Sequence, residues 1–516
     1  MIDSIDVERI DRDQKPNQNY SFDVRKKNAS IVTEGYPTRN VGFDPVMTKS
    51  GVRTDSMTAG WSFANGRLSV FADRLGIVPI YYKIEDSRIV VADSIVELPN
   101  HLPDLEIDLF EVYAFLKLGV YLGSATPFSG VHRMRPGETL IWDNGTVART
   151  MPTSDVTPYA GSRDQAIAEA QYLFEESVRK RINNDLQQIV PISGGRDSRH
   201  ILLELASQRA HGLKAVTVRY MDDYAEEIRV GSLIAHAAAV PHSVVSNDHQ
   251  HYFSVLAEQI SINNFETCLH GWMRALTTSF PGSDRLFFDG IGGDALLNSA
   301  YAHVLPNEMF ASVQSGDIEH MAETFAGDFN PPKHLRRLPD VRSFATRLKT
   351  RLVDEIERHK DAPNVMCRFM FEHRTRRSTG IAPITILGRV AKISLPYLDE
   401  DLVKLAFGLP TSEYWAPGFH DQLITRHYPQ FKHIPYERNE LRAKSRFALR
   451  VEFRLMFGYL PLLLCSLGSP IVRRFRAISR YLFCCLRLRM ANYFYIAESE
   501  VYFQTLRRIS DLKQSV

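Results

Sequence analysis

One glycine-rich turn, set between a strand and a helix, limits this chain most. Ser193-Gly194-Gly195-Arg196-Asp197-Ser198 follows the apolar run Gln188–Ile192 and precedes Ile201–Leu205. The first run reads as a short buried strand and the second as the start of a helix. Glycines permit backbone angles closed to other residues. The N–H groups of such a turn, together with the helix N-terminus, then face an anion. Ser193 and Ser198 add hydroxyl donors. Asp197 is the informative member, because a carboxylate aimed at phosphates needs a cation between them. The turn lacks the Gly-Lys-Ser/Thr ending of the common P-loop, which disfavours simple γ-phosphate transfer.

A second turn of the same kind, Asp289-Gly290-Ile291-Gly292-Gly293-Asp294, follows the apolar Leu286-Phe287-Phe288. Mg²⁺ commonly takes one or two carboxylates plus substrate phosphates, so Asp197 and Asp294 are the expected metal pair and the expected catalytic residues. The first turn resembles the pyrophosphate loop of the ATP-pyrophosphatase group, which cleaves ATP between its α- and β-phosphates. An ordinary surface turn with a helix cap is the alternative.

Taken together, the two turns resemble the asparagine synthetase family. So do Ala72–Tyr82, Met134-Arg135-Pro136-Gly137-Glu138 and the turn Ser394–Asp399, so that the likeness runs from about Met57 to Asn439. The resemblance implies an α/β chain. Its N-terminal domain would be antiparallel sheet, glutaminase-like and of the N-terminal-nucleophile type. A doubly wound parallel-sheet ATP-pyrophosphatase domain with a mostly helical C-terminal part would follow. It also implies ATP and Mg²⁺ as cofactors and adenylation of a carboxylate, with an amine then displacing AMP to give an amide. By position, Ile192 and Val218 match residues whose backbone borders adenine. Asp289 and Gly290 match the ribose and phosphate side. Ser193, Gly194, Gly195, Asp197 and Ser198 would hold the departing pyrophosphate.

Size and patterning agree with several domains. A chain of 516 residues exceeds one ordinary core. Short apolar runs bounded by turn residues over residues 1–155 read as antiparallel sheet. A linker is expected near Pro152–Ser162. Alternating helices and strands over 160–440 read as a parallel sheet, the synthetase-like domain. The formal net charge of +2 gives no argument for nucleic acid, and the 5 cysteines form neither metal-ligand spacing nor a disulfide framework. With no apolar core in Met1–Lys27 to act as a signal, a reduced, cytoplasmic compartment is expected. The third region, 441–516, is a basic helical tail. Its uncharged run Leu455–Val472 lies between Arg454 and Arg473. A tail packed on the synthetase domain, an element on an anionic membrane surface and a membrane span are the readings it allows, the first favoured.

Two departures from the family pattern matter. The family's glutaminase uses an N-terminal cysteine, whereas the first cysteine here is Cys268. A glutaminase needs a thiolate, so the N-terminal domain is expected to be an inactive shell and nitrogen to come from a separate ammonia source or an amine. Asparagine-forming members also carry a glutamate in the second turn where this chain has Ile291, which cannot act as a base. Free aspartate is therefore a doubtful acceptor, and a small-molecule, glycan or peptide carboxylate is expected in its place. An intramolecular amide-forming cyclase of the β-lactam or lasso-peptide type stays open, as do a tRNA sulfur transferase and a catalytically dead scaffold. The basic run Glu372–Arg377 offers Arg374, Arg376 and Arg377 as holders of an anionic acceptor or ATP, with a solvated helix face as the alternative and His373 expected to be structural.

Overall fold

The computed structural model describes residues 18–27, 30–48, 53–152, 156–219, 225–246, 252–297, 307–327, 341–412, 418–436 and 501–509. The basic stretch 441–490, including Leu455–Val472, lies outside the described residues, and no described helix is long and apolar enough to cross a membrane.

The N-terminal domain is built from ten strands: β1 (Ser21–Lys27), β2 (Ser30–Gly35), β3 (Thr38–Met47), β4 (Arg53–Ala64), β5 (Arg67–Phe71), β6 (Tyr81–Glu85), β7 (Arg88–Ala92), β8 (Val131–Arg133), β9 (Thr139–Asp143) and β10 (Thr146–Thr150). They form two five-stranded antiparallel sheets, ordered β2-β1-β7-β6-β8 and β10-β9-β5-β4-β3. Alternation sets which faces are covered: Phe22, Val24, Leu68, Val70, Leu140 and Trp142 are buried.

The second domain contains β11 (Gln187–Pro191), β12 (Lys214–Arg219), β13 (His242–Ser246), β14 (Arg285–Phe288) and β15 (Lys392–Ser394). All pair in parallel, in the order β13-β12-β11-β14-β15. Ile189, Val190, Leu286, Phe287 and Phe288 are fully buried, as a strand covered on both faces requires. Helix Arg163–Arg181 opens this domain with a capping box at Ser162 and Gln165. The described part of the chain beyond β14 is mostly helical.

Buried charge joins the two domains. Arg181, on the first helix, clamps Asp44 of β3 through Nε (2.7 Å) and Nη2 (2.6 Å). The same carboxylate accepts the Leu395 N–H at 2.9 Å. Burial alone would raise the Asp44 pKa, but the Arg181 guanidinium overcomes it and holds the carboxyl below its ordinary value. A second cluster centres on Glu266, which accepts from Arg133, from Arg377 and from the Tyr81 hydroxyl. The family-like turn after Ala72 belongs to this contact. Asp73 takes the N–H groups of Leu75, Ile77 and Val78, and the turn it shapes gives its Gly76 and Ile77 carbonyls to Arg133. The helix over residues 501–509 closes over the same region, where the Tyr502 hydroxyl reaches the Phe265 carbonyl at 2.8 Å and the ring stacks on Phe115.

Candidate functional site

The strand order reverses direction between β11 and β14, and in an open parallel sheet the crevice beyond the strand ends at such a switch point is where ligands bind. Both glycine-rich turns leave the sheet there. The Ser193 N–H donates to Ser198 Oγ (3.1 Å), and Gly195 N–H donates to Ser193 Oγ (3.1 Å). The serines therefore shape the loop before helix Asp197–Ser207 begins. Ile192 continues the sheet past β11, its N–H on the Val216 carbonyl at 2.8 Å, and Val218 sits near the same end of β12.

The turn after β14 comes directly against the first. The Asp294 N–H donates to Asp197 Oδ2 at 3.0 Å. Gly290 and Gly293 make the approach possible. A Cβ on Gly290 would stand 2.9 Å from Asp197 Cβ, and one on Gly293 would stand 2.6 Å from Asp197 Cγ. Asp289 accepts the Ile291 N–H at 2.9 Å, and burial pushes its carboxyl up to about 6. The Asp197 carboxyl is held well above its ordinary value, first by burial and then by the charge of Asp294. Its Oδ1 is buried without a hydrogen-bond partner among the described residues. A carboxylate crowded by a second carboxylate and keeping one buried, unused oxygen fits a hard divalent cation such as Mg²⁺.

Behind Asp197 lies a group the sequence did not single out. His200 Nδ1 and His420 Nε2 are 3.1 Å apart, and the Tyr397 hydroxyl lies 3.2 Å from the first and 3.3 Å from the second. Phe174 stacks on His200 with ring centroids 3.8 Å apart. Burial pushes His420 down to about 3 and His200 well below its ordinary value, favouring the neutral form of each ring. Beside them Arg196 grips Asp421 through Nε (2.5 Å) and Nη2 (3.0 Å), and the guanidiniums of Arg196 and Arg199 lie over the Tyr436 ring. His200 follows Asp197 by three residues on one helix, a spacing that shares a face. His420 and Asp421 arrive only through tertiary folding.

The basic run behaves differently from the expectation. Phe371–Thr379 is a π-helical segment in which Arg376 and Arg377 are fully buried. Arg376 spends its donors on the Glu372, Met134 and Gly123 carbonyls. Arg377 spends its own on Glu266 and on the Gly123 and Ala125 carbonyls. These two side chains hold the domains together and are not available to an acceptor or to ATP; nor is this a solvated face. His373 is buried and bonds the Phe369 carbonyl at 2.8 Å. Arg374 is half-buried beside His270, whose pKa it helps to lower after burial.

Comparison with known proteins gives a concordant picture. The glutamine amidotransferase domain family matches residues 57–153, and the asparagine synthase family matches residues 169–420. Asparagine synthetase [glutamine-hydrolyzing] 3 of Bacillus subtilis (strain 168) is 27% identical over 175 residues, which is 33% of this chain and 28% of that protein's length. The chain thus aligns with little more than a quarter of that relative. With two antiparallel sheets leading into a parallel sheet whose switch point carries both aspartate turns, the chain belongs to the asparagine synthetase family.

Proposed function

We propose that this protein is an ATP-dependent, AMP-forming ligase that turns a carboxylate into an amide. The observation that carries the reading is the meeting of the two turns, where Asp197 Oδ2 accepts the Asp294 N–H at 3.0 Å while its Oδ1 stays buried without a hydrogen-bond partner among the described residues. In this reading an acceptor carboxylate oxygen attacks the α-phosphorus of ATP and pyrophosphate leaves. Ammonia or an amine then attacks the acyl carbon, AMP departs with the carboxylate oxygen, and the nitrogen gives up a proton. Ser193, Gly194, Gly195 and Ser198 cradle the leaving pyrophosphate. Ile192 and Val218 border the adenine, and Asp289 and Gly290 line the ribose and phosphate side. Asp197 and Asp294 would hold Mg²⁺, which neutralises phosphate charge when bound.

The acceptor in this reading is not free aspartate. Ile291, buried in the second turn, offers no base to the reacting centre. The nitrogen donor comes from outside the chain, because residues 1–267 include no cysteine to act on glutamine.

Product analysis by mass spectrometry, with ATP, Mg²⁺ and a panel of carboxylic acids plus ammonium, tests the proposal. An amide product with one AMP and one pyrophosphate per turnover is expected. Asp197→Asn and Asp294→Asn each remove a negative charge from the cation site and are expected to abolish pyrophosphate release while the circular dichroism spectrum stays native. Full release by both variants, or ADP as the nucleotide product, refutes it.

A further inference from the structure

Asp197 is held from behind as well as from the second turn. His420 Nδ1 stands 3.5 Å from Asp197 Oδ1. Both atoms are buried, and neither has a hydrogen-bond partner among the described residues. On the other edge of the ring, His420 Nε2 meets His200 Nδ1 at 3.1 Å. The Tyr397 hydroxyl donates to the Asp197 backbone carbonyl at 3.2 Å and touches both imidazoles. The chain of contacts therefore leaves the Asp197 carbonyl, passes through Tyr397 and the two histidines, and returns to the Asp197 side chain.

With Asp197 ionised, as a cation ligand would be, and the Tyr397 proton given to the Asp197 carbonyl, the contacts between the two imidazoles favour one proton placement. A neutral imidazole carries one N–H and one bare nitrogen. A bare His420 Nδ1 would set its lone pair against the carboxylate, so the proton belongs on Nδ1. His420 Nε2 is then bare and needs a donor, which the Nδ1–H of His200 supplies. Phe174, stacked on the His200 ring, fixes the plane from which that proton is offered. The outer partners of a metal-binding group set its orientation and commonly change metal affinity tenfold to a hundredfold.

We infer that His420 and His200 are positioning residues that act in series, His200 fixing the tautomer of His420 and His420 aiming the Asp197 carboxylate at the cation. The inference rests on the reading of Asp197 as a metal ligand given above. Both imidazoles are fully buried.

The two nitrogens of an imidazole can be tested separately. Asparagine can place its amide near the Nδ1 position and glutamine near the Nε2 position. Mn²⁺ is titrated at a fixed concentration of α,β-methylene-ATP, which cannot release AMP. Occupancy is read from the loss of the free-ion paramagnetic resonance signal against a protein-free blank. Asp197→Asn is the control. Loss of Mn²⁺ binding there upholds the site, whereas wild-type binding there removes the metal reading itself. With the control behaving as a ligand, His420→Asn is expected to bind Mn²⁺ within about threefold of wild type and His420→Gln at least tenfold more weakly. Equal affinities for these two variants overturn the inference. If His420→Gln fails to fold, His200 supplies the same contrast. His200→Asn keeps a donor toward His420 and is expected to bind normally, while His200→Leu is expected to lose about tenfold. Equal affinities for that pair also overturn it, since His200 would then not act through the donor it offers to His420.

Discussion

Gly293→Ala isolates the contact on which the site depends. The methyl group would stand 2.6 Å from Asp197 Cγ, 2.7 Å from its Oδ1 and 2.9 Å from a ring carbon of Tyr397. Carbon atoms rest at about 3.5–4.0 Å, so the carboxylate has to retreat by about 1 Å. The fully buried Tyr397 ring leaves the methyl no free direction on its own side. A 1 Å error in a reacting arrangement costs on the order of 10²-fold in rate, close to 2.7 kcal/mol of barrier at about 1.36 kcal/mol per decade. The fold has little reason to suffer. Gly293 begins helix Gly293–Leu297 with a negative φ, and alanine is favoured over glycine in helices by up to about 1 kcal/mol. The expectation is an unchanged thermal midpoint, AMP formation down about 10²-fold and weakened Mn²⁺ binding. Calorimetry, AMP quantification and the resonance titration read these separately. Wild-type turnover with wild-type metal affinity would refute the reasoning, and so would a variant that has lost its fold.

Other expectations follow from the same structure. Asp44→Ala leaves the fully buried Arg181 without its main partner and should cost about 3–5 kcal/mol; a denaturant midpoint unchanged from wild type contradicts that. Glu111 has a buried Oε2 with no hydrogen-bond partner among the described residues, and burial pushes its pKa up to about 7. A raised carboxyl binds its proton more tightly folded than unfolded, so its contribution is fully present below the unfolded value of 4.5 and is lost as pH rises through about 7. Glu111→Gln should therefore raise the melting temperature at pH 8 and leave it unchanged at pH 4; the reverse pattern rules out the assignment. The purified chain should form no glutamate from glutamine, because its N-terminal domain lacks a thiol; measured glutamate release would count against an outside nitrogen source.

The two aspartate turns were legible because each is local. A glycine-rich turn between an apolar run and a helix announces itself within a few residues, and the strands that precede it, β11 and β14, fall within a residue of where the apolar runs place them. That Asp197 and Asp294 meet follows from both turns leaving the same ends of two neighbouring parallel strands, β11 and β14. His420 was not legible, since nothing near it in the chain marks a site and its partners His200 and Tyr397 come from two other elements. Arg376 and Arg377 misled for a related reason. A run of arginines reads as a surface for anions, yet a guanidinium with many donors can also be buried if carbonyls meet it, and the Gly123, Ala125 and Met134 carbonyls come from the other domain. Local sequence carries the turn chemistry and omits the partners that decide whether a charge faces water.

Those arginines also account for an N-terminal domain that has no thiol. Arg133 and Arg377 converge on the single carboxylate of Glu266, with Arg376 beside them. The pKa of Arg376 is pushed down to about 9, first by burial and then by its two arginine neighbours. Such a cluster is tolerable because most of the remaining donors meet carbonyls, and Gly76, Ile77, Gly123, Ala125 and Met134 of the N-terminal domain supply most of these. Removing one partner of a buried charged group costs more than the pair contributed. Without the N-terminal domain, Glu266 would lose Arg133 and Tyr81, Arg376 and Arg377 would lose most of their acceptors, and Arg181 would lose Asp44. Helix Arg163–Arg181, which carries Arg181, also carries Phe174, the ring stacked on His200 behind Asp197. The N-terminal domain is therefore tied, through one helix, to the wall against which the Asp197 carboxylate rests. That coupling gives the domain a structural part in the second domain's site, whatever chemistry of its own it performs.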